Sequence, residues 1–346
     1  MFPQSSTRIA ITCKGRETTY TGLVRRINAC AAALDAAPGD RVAIIAENRP
    51  EWIHAFYAIW QKEAVAVPVD PGLAADDMAL ILKDSRPVAI YCSETSNERV
   101  NAALTAAGLT ARLIRLETIA DLPDGADSLA LAAPRDMKSL AALMYTSGTT
   151  GAPKGVMLSF ENIDTTGSSV MACGYYGPEE RVIALLPFFH ILPLQGTIII
   201  PFSNGCRVAF SPGLQKEDIA ATLKEQKVTL FIGVPRLYEM FHAGILEKVR
   251  ASLIGRVLFR VSRLIGSRKL GHRLFSRVHN ALGPNVTSWI IGGAKTDVAM
   301  LRDMWALGFR IIEGYGLTET APIITFNRPN RVRLGTGGQP VQGAEV

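Results

Sequence analysis

The chain has 346 residues, of which 48% are hydrophobic and 20% charged, and its net charge is +6 at pH 7. This composition argues against a disordered chain and is typical of an ordinary soluble protein large enough for two lobes and a sizeable core. The cysteines lie far apart without a CxxC pair, so the sequence predicts neither a zinc site nor a disulfide framework and favours a reducing cytoplasm.

The chain begins with "MFPQSSTRIAITCKG", which lacks the basic start and long apolar stretch of a signal peptide. We therefore expect a cytoplasmic protein. Short β-rich runs then alternate with helical patterns along the chain, which predicts an α/β fold. The predicted strands are residues 41–45, 64–69, 88–92, 181–186, 207–210, 228–234, 286–291 and 309–315.

Several of these runs are apolar throughout, as in a sheet that is covered on both faces. The clearest helical patterns are residues 19–34, 50–60, 217–227 and 297–308. Residues 105–137 are richer in Ala, Asp and Pro, and we predict a surface connection there.

One apolar stretch, residues 185–202, has about the length of a membrane span. It contains Pro187, Pro193 and Pro201, which would break a spanning helix repeatedly. We predict a buried strand, a loop and a second buried segment instead.

The stretch "YTSGTTGAPKG", residues 145–155, follows the apolar run "SLAALMY". Glycine N–H groups, hydroxyl donors and one ammonium group together suit an oligophosphate. The stretch is not a Walker loop, because Gly155 follows Lys154 where that motif has Ser or Thr. A flexible surface turn is the alternative, and it explains the glycines but not the hydroxyl cluster.

A basic amphipathic segment runs from Lys248 to Arg277, with nine Lys and Arg and no Asp or Glu. Apolar residues recur at helical spacing between these cations, namely Leu253, Val257, Val261, Leu264 and Ile265. One interpretation is a solvated helix whose apolar face packs on the core. The other is a docking surface for anionic lipid or an anionic substrate. Nothing else in the chain supports nucleic-acid binding.

Six motifs, taken together, resemble the adenylate-forming superfamily of acyl-CoA synthetases, peptide-synthetase adenylation domains and luciferases. The motifs occur in that family's order and nearly span the chain: "GDRVAIIAENRPEW", "YTSGTTGAPKG", "LLPFFHILPLQG", "GVPRLYE", "IIGGA" and "EGYGLTET". The long basic insertion after "GVPRLYE", with "NRP" at 327–329, is most similar to bacterial long-chain fatty acyl-CoA synthetases.

This resemblance implies a fold of two covered, largely parallel sheets flanked by helices. It places a first lobe in residues 1–160, a second lobe in 161–326 and the start of a β-barrel in 327–346. The family continues with a ribose-binding aspartate, an arginine hinge and a mobile domain with the catalytic lysine, none of which occurs here. We therefore expect this polypeptide alone to be a poor catalyst or none.

The implied reaction has two steps: a carboxylate attacks the α-phosphate of ATP to form acyl-AMP, and a thiol then accepts the acyl group. By resemblance, the first loop holds the β- and γ-phosphates of ATP. Its matching residues are Thr146, Ser147, Gly148, Thr149, Thr150, Gly151 and Lys154. Glu319 and Thr149 match the positions that would bind Mg²⁺.

The same resemblance assigns an adenine pocket to two further stretches. Its residues are Gly292, Gly293, Ala294, Glu313, Gly314, Tyr315, Gly316 and Thr318. Tyr315 would lie on the adenine ring, and the Thr318 hydroxyl would reach the α-phosphate. His190 matches a position that contacts the substrate carboxylate, although a satisfied core histidine is the alternative. Lys154, Thr318, Glu319 and His190 are the expected catalytic residues.

The resemblance thus implies ATP or AMP, Mg²⁺ and CoA or an acyl carrier protein as partners of a fatty or other carboxylic acid. Phe188, Phe189, Ile191 and Leu192 could line an acyl tunnel or form plain core. Two alternatives stay open: a nucleotide-binding module without chemistry, and an adenylating domain for another acid such as an amino acid. Peripheral contact with the inner face of a membrane through 248–277 is also open.

Overall fold

A computed structural model of the chain describes residues 1–122, 130–147 and 153–346. The chain divides into two units, and each is assembled from two separate chain segments. Unit 1 comprises residues 1–167 and 187–205, and unit 2 comprises residues 168–186 and 206–346.

The strands of unit 1 are Ile9–Cys13 (β1), Arg16–Thr19 (β2), Arg41–Ile45 (β3), Val65–Val69 (β4), Ala89–Cys92 (β5), Arg112–Arg115 (β6), Leu140–Ser147 (β7) and Pro153–Ser159 (β8). β1 and β2 form an antiparallel hairpin. The other six form one sheet in the order β6-β5-β3-β4-β7-β8, in which only β7 and β8 pair antiparallel. The central strand β3 is buried along Val42–Ile45, as expected for a strand covered on both faces.

The helices of unit 1 are Tyr20–Ala33 (α1), Pro50–Gln61 (α2), Ala75–Ser85 (α3), Glu94–Ala107 (α4), Phe160–Met171 (α5, which continues into unit 2), Ile191–Pro193 (α6) and Ile200–Ser203 (α7). Their boundaries follow local chemistry. The Thr19 hydroxyl accepts a hydrogen bond from Gly22 N at 3.1 Å to begin α1, and Pro50 occupies the first turn of α2. Gly108, with φ of +66°, ends α4 in the left-handed region.

Residues 187–205 return to unit 1, whereas the resemblance implied a first lobe of residues 1–160 followed by a second lobe of residues 161–326. Aromatic contacts explain the return: Phe188 packs against Trp52 at 5.4 Å and Phe202 against Tyr20 at 6.1 Å between ring centroids. The second buried segment predicted in the apolar stretch is helical. Leu194–Ile199 form a wide π-helical turn between α6 and α7, so the backbone stays helical despite its prolines. No helix in residues 1–122, 130–147 or 153–346 is long and apolar enough to cross a membrane.

The strands of unit 2 are Arg181–Ala184 (β9), Arg207–Phe210 (β10), Leu230–Gly233 (β11), Ser288–Ile291 (β12), Ile311–Tyr315 (β13), Thr325–Phe326 (β14) and Gln339–Pro340 (β15). Their order is β15-β14-β13-β12-β11-β9-β10, parallel from β13 to β10 and antiparallel at β14 and β15. Residues 327–346, expected to begin a further barrel, supply the short strand β15 to this unit.

The helices of unit 2 are Lys216–Glu225 (α8), Pro235–Arg250 (α9), Leu253–Ile265 (α10), Arg268–Leu274 (α11), Ser276–Leu282 (α12) and Val298–Ala306 (α13). Buried aromatic side chains join helix α9 to the sheet: the ring centroids of Phe231 and Phe241 lie 5.6 Å apart, and the Tyr238 hydroxyl donates to the Ile290 carbonyl at 2.8 Å. All eight predicted strands and all four predicted helices are present, mostly shortened by a few residues.

Two predictions were wrong. Residues 105–137 are not only a surface connection, because β6 lies within them and pairs in parallel with β5. Its two apolar residues stand between arginines, a pattern too short to show periodicity. The packed interpretation of the basic segment also fails for α10, where Leu253, Val257, Val261, Leu264 and Ile265 are all exposed.

Candidate functional site

In unit 2, the predicted adenine-pocket residues meet at one edge of the sheet. β11, β12 and β13 are parallel neighbours, and their registers align Gly233 with Ile291 and Ile291 with Glu313. The stretches that follow these strand ends therefore lie side by side at the carboxyl edge. This edge is where ligands bind in open α/β sheets.

The Gly292–Ala294 turn leaves β12 with its backbone accessible. Gly292 is buried and donates from its N–H to the Gly233 carbonyl at 3.3 Å. Gly293 and Ala294 are exposed, and Gly293 has φ of +85°, a conformation in which a side chain would be strained. A planar ring could approach this backbone closely.

Glu313 anchors a loop rather than facing solvent. Its side chain is buried, and its Oε2 accepts a hydrogen bond from Gly335 N at 2.7 Å. Burial raises the pKa of the Glu313 carboxyl, and hydrogen bonds from the backbone of Gly335 and Thr336 oppose the rise. The carboxylate predicted to bind nucleotide thus holds the loop of residues 327–336 against β13.

Asn327 is the residue of this site that the sequence did not single out by itself. It is 1% exposed, and its side-chain amide donates to the carbonyls of Glu313 at 3.3 Å and Thr336 at 2.7 Å. Its Oδ1 accepts from Arg333 N at 2.8 Å. The motif "NRP" marked the position, but only the fold shows that Asn327 ties three separate backbone points together.

Tyr315 presents its ring at this edge while its backbone is enclosed. The residue is 56% exposed. A Cβ on Gly316 would lie 1.5 Å from the Pro322 carbonyl oxygen, and one on Gly337 would lie 2.8 Å from the Tyr315 Cβ. The glycines of "GYG" and "TGG" therefore let the chain pack around Tyr315 and leave its ring free for stacking.

The turn after β13 presents a hydroxyl and a carboxylate. Thr318–Thr320 form one 3₁₀ turn, in which the Thr320 hydroxyl accepts from Leu317 N at 2.9 Å and donates to the Pro322 carbonyl at 2.8 Å. Thr318 is half-buried and Glu319 exposed. Within the described ranges, neither the Thr318 hydroxyl nor the Glu319 carboxylate has a hydrogen bond or ion pair, so both are available to a ligand.

In unit 1, the predicted phosphate loop joins β7 to β8. Thr146 pairs with Lys154 and Ser147 with Pro153, so the two ends of the loop are held together by an antiparallel ladder. Lys154 is exposed. The Tyr145 hydroxyl donates to the Asp84 carboxylate at 2.5 Å, which fixes the base of the hairpin. Gly148, Thr149, Thr150 and Gly151 lie outside the described residues.

His190, also in unit 1, precedes helix α6 and is exposed. Its ring packs on Phe189 at 4.4 Å between centroids. Partial desolvation lowers the pKa of His190, and the Asp70 carboxylate opposes this shift. Next to it, Phe188 is buried and donates its N–H to Asn48 Oδ1 at 2.9 Å, which joins the "PFFHIL" and "ENRPEW" motifs. The exposure of His190 does not fit a satisfied core histidine.

The comparison with protein families gives one match over almost the whole chain: a family model described as AMP-binding enzyme covers residues 3–346. A feruloyl-CoA synthase from Amycolatopsis sp is 29% identical over 336 residues, which cover 94% of this chain and 60% of that protein. The long-chain-fatty-acid–CoA ligase FadD15 of Mycobacterium tuberculosis (strain ATCC 25618 / H37Rv) is 26% identical over 343 residues, covering 90% of this chain and 57% of that protein. The chain thus spans less than two thirds of the length of these relatives.

Solved structures share the fold. The inhibitor-bound N-terminal domain of FACL13 from Mycobacterium tuberculosis has a TM-score of 0.77 at 23% identity, covering 97% of this chain and 79% of that one. ATP-bound MatB from Rhodopseudomonas palustris has a TM-score of 0.78 at 22% identity, covering 97% of this chain and 62% of that one. The extent of the family match, together with the two sheets and their motifs, shows that this chain belongs to the AMP-binding, adenylate-forming enzyme family.

Proposed function

We propose that this chain is the ATP- and acyl-binding part of an AMP-forming acid–thiol ligase, which activates a carboxylic acid as acyl-AMP before transfer to CoA. The observation that carries the proposal is the carboxyl edge of β11–β13. There the exposed ring of Tyr315 ends β13, and the turn after it presents the Thr318 hydroxyl and the Glu319 carboxylate, both without a partner among the described residues, beside an accessible glycine turn.

The proposed chemistry is mainly positioning and charge neutralisation, because a carboxylate must approach an anionic phosphate. Tyr315 would stack on adenine, and the Thr318 hydroxyl would donate to the α-phosphate. Lys154 and the hydroxyls and N–H groups of residues 146–151 would bind the β- and γ-phosphates and stabilise the departing pyrophosphate.

His190 would contact the substrate carboxylate. Its lowered pKa favours a neutral ring at pH 7, which can donate one hydrogen bond without holding the acid in a tight ion pair. Such a contact would orient the attacking oxygen toward the α-phosphate and still let acyl-AMP form.

Glu319 fits a magnesium site of the kind that shares its ligands with a nucleotide. Mg²⁺ is commonly bound by one or two carboxylates together with phosphate oxygens and water. In the described ranges no three His, Cys, Asp or Glu side chains cluster as a metal site, so a site made by this protein alone finds no support there. When bound with ATP, Mg²⁺ would neutralise phosphate charge, and Glu319 would supply one carboxylate ligand to it.

For the acid, we propose a substrate with a large apolar body, and a fatty acid first. Two kinds of relatives support this, one named for feruloyl-CoA and one for long-chain fatty acids. Amino-acid activation is less favoured, because the resemblance assigns no acidic motif residue to a substrate ammonium. The acceptor would be CoA, with an acyl carrier protein as the alternative. All five cysteines are free thiols, which supports a cytoplasmic setting.

Binding of Mg·ATP, measured by isothermal titration calorimetry, tests the nucleotide site. We expect Lys154→Ala and Glu319→Gln each to weaken affinity by about 10- to 100-fold, the range for one charge-assisted contact. The exposed residues Lys138 and Glu225 offer matched controls, and Lys138→Ala and Glu225→Gln should bind as wild type. Unchanged affinity in both site variants would refute the assignment.

A second measurement separates a ligase from a nucleotide-binding module without chemistry. A stable sulfamoyl mimic of palmitoyl-adenylate should bind this chain far more tightly than AMP, because both halves of the mimic find a site. A feruloyl mimic ranks the aromatic acid against the fatty acid in the same assay. If AMP and both mimics bind equally, the module without an acyl site is the better description.

A further inference from the structure

Helix α10 in unit 2 exposes an apolar face that no part of its unit covers. Thirteen large hydrophobic residues of the described chain are exposed, and six of them lie on this one helix of 13 residues. Their exposed fractions are Leu253 69%, Ile254 73%, Val257 50%, Val261 44%, Leu264 90% and Ile265 56%. Scattered exposed apolar residues are ordinary, but a cluster of this kind marks an interaction site.

The six residues form one continuous stripe. At 3.6 residues per turn they occupy an arc of about 120° around the helix axis. Phe259 and Ser262 lie on the opposite side and are buried. The Ser262 hydroxyl donates to the Ala306 carbonyl at 2.6 Å, and Phe259 packs on Phe275 at 6.4 Å between ring centroids. These contacts fix the rotation of α10, so the apolar stripe cannot turn toward the core.

Cations border the stripe. Arg256 and Arg260 are exposed and lie within about 60° of its edge on the helical wheel. Neither has an ion pair in the ranges that the structure describes, whereas Arg263 pairs with Asp303 at 3.2 Å. The whole stretch from Lys248 to Arg277 contains no Asp or Glu. A partner that fits this surface must therefore present apolar groups to the stripe and anionic groups to the arginines beside it.

We propose that α10 lies in the interface of an anionic lipid bilayer. Its six apolar side chains enter the boundary between headgroups and acyl chains, and Arg256 and Arg260 contact the phosphates. A strongly amphipathic helix with basic residues beside its apolar face is typical of helices that lie in the membrane plane. A second copy of the chain fits less well, because a symmetric contact through α10 would bring like charges together.

The inference goes beyond the nucleotide site and does not depend on it. α10 is about 20 Å long, so it covers only a few lipids, and binding would be reversible. Basic residues near an anionic surface contribute about fivefold each to the partition coefficient, and this contribution falls as salt is added. Apolar side chains at this depth contribute about tenfold each.

Cosedimentation of the full 346-residue chain with vesicles tests the proposal. We expect binding to vesicles of 70% phosphatidylcholine and 30% phosphatidylglycerol, and weak binding to pure phosphatidylcholine. Arg256→Gln/Arg260→Gln should lower the partition coefficient by about 25-fold. Ile254→Ser/Leu264→Ser should lower it by about 100-fold. All four positions are exposed, so these variants should keep the wild-type circular dichroism spectrum.

Matched controls remove the same charge and the same apolar area elsewhere. Lys138→Gln/Lys224→Gln neutralises two exposed lysines, and Leu80→Ser/Leu214→Ser removes two exposed leucines outside α10. Both should bind vesicles as wild type does. The proposal is overturned if the controls lose as much binding as the α10 variants, or if wild type does not bind the anionic vesicles. Lipid-independent dimers that Ile254→Ser/Leu264→Ser dissociates, without vesicle binding, would also overturn it and identify a second copy as the occupant.

Discussion

Replacing Asn327 with alanine tests whether one buried amide holds the loop of residues 327–336 at the candidate nucleotide site. The substitution removes two donated hydrogen bonds, to Glu313 O and Thr336 O, and one accepted from Arg333 N. Each such bond contributes about 0.5–1.5 kcal/mol net. Glu313 O keeps the hydrogen bond from Asn327 N at 3.0 Å, and water can reach Arg333, so we expect a total loss of about 2 kcal/mol.

Urea unfolding, followed by circular dichroism, gives the stability change. Hydrogen exchange measured by mass spectrometry localises it, because the N–H groups of Arg333 and Gly335 should exchange faster in Asn327→Ala. Mg·ATP affinity should also fall, since Gly337, directly after this loop, packs against the backbone of Tyr315. Asn330 lies three residues further along the same loop and is exposed, so Asn330→Ala is the matched control and should behave as wild type.

Asn327→Asp sharpens the test. It keeps an acceptor for Arg333 N but places a carboxylate against the carbonyls of Glu313 and Thr336, so it should be at least as unstable as the alanine variant. If Asn327→Ala stays within about 0.5 kcal/mol of wild type and exchange in residues 333–335 is unchanged, Asn327 does not anchor this loop.

Two further predictions concern glycine packing and acid stability. Gly316→Ala should destabilise unit 2 by about 3 kcal/mol and abolish Mg·ATP binding. The new Cβ would lie 1.5 Å from the Pro322 carbonyl oxygen and would displace the turn that bears Thr318 and Glu319. Urea unfolding measures the loss of stability, and calorimetry measures the loss of Mg·ATP binding. In unit 1, burial lowers the pKa of His54 from 6.5 to about 4. The folded protein therefore keeps its full free energy of unfolding above pH 6.5 and loses about 3 kcal/mol of it as the pH falls from 6.5 toward 4. In His54→Leu, the free energy of unfolding measured in urea should differ less between pH 7 and pH 5 than it does in wild type. An unchanged pH dependence would contradict this prediction.

The sequence predicted the strands and the residues at their ends well, because a covered strand requires an unbroken apolar run and a strand end requires turn residues. Gly293 and Gly316 were assigned to the adenine pocket by the family resemblance alone, and the structure adds that a side chain at either position would be strained or would clash. The parallel registers that align Gly233, Ile291 and Glu313 follow from pairing across the fold, which periodicity does not report.

Three features depended on long-range packing. The contact between Asn48 and Phe188 joins residues 140 positions apart, and Glu313 turned out to anchor a loop because its partner lies 22 residues away. Helix α10 shows the limit most clearly. Its periodicity indicated an apolar face, but only the burial of Phe259 and Ser262 shows that this face points away from the core.

The discontinuous course of unit 1 has a consequence for its synthesis. Trp52, Tyr57 and Tyr20 pack against Phe188 and Phe202, and Gln195 donates to the Ile163 carbonyl at 2.8 Å, so the aromatic core of unit 1 is incomplete in residues 1–167. During translation, that core can close only after Phe202 has left the ribosome, by which time β9 of the other unit has already been made. Unit 1 therefore finishes folding only after synthesis of unit 2 has begun. A polypeptide that ends at residue 167 should expose helix α2, which contains two tryptophans, and should aggregate.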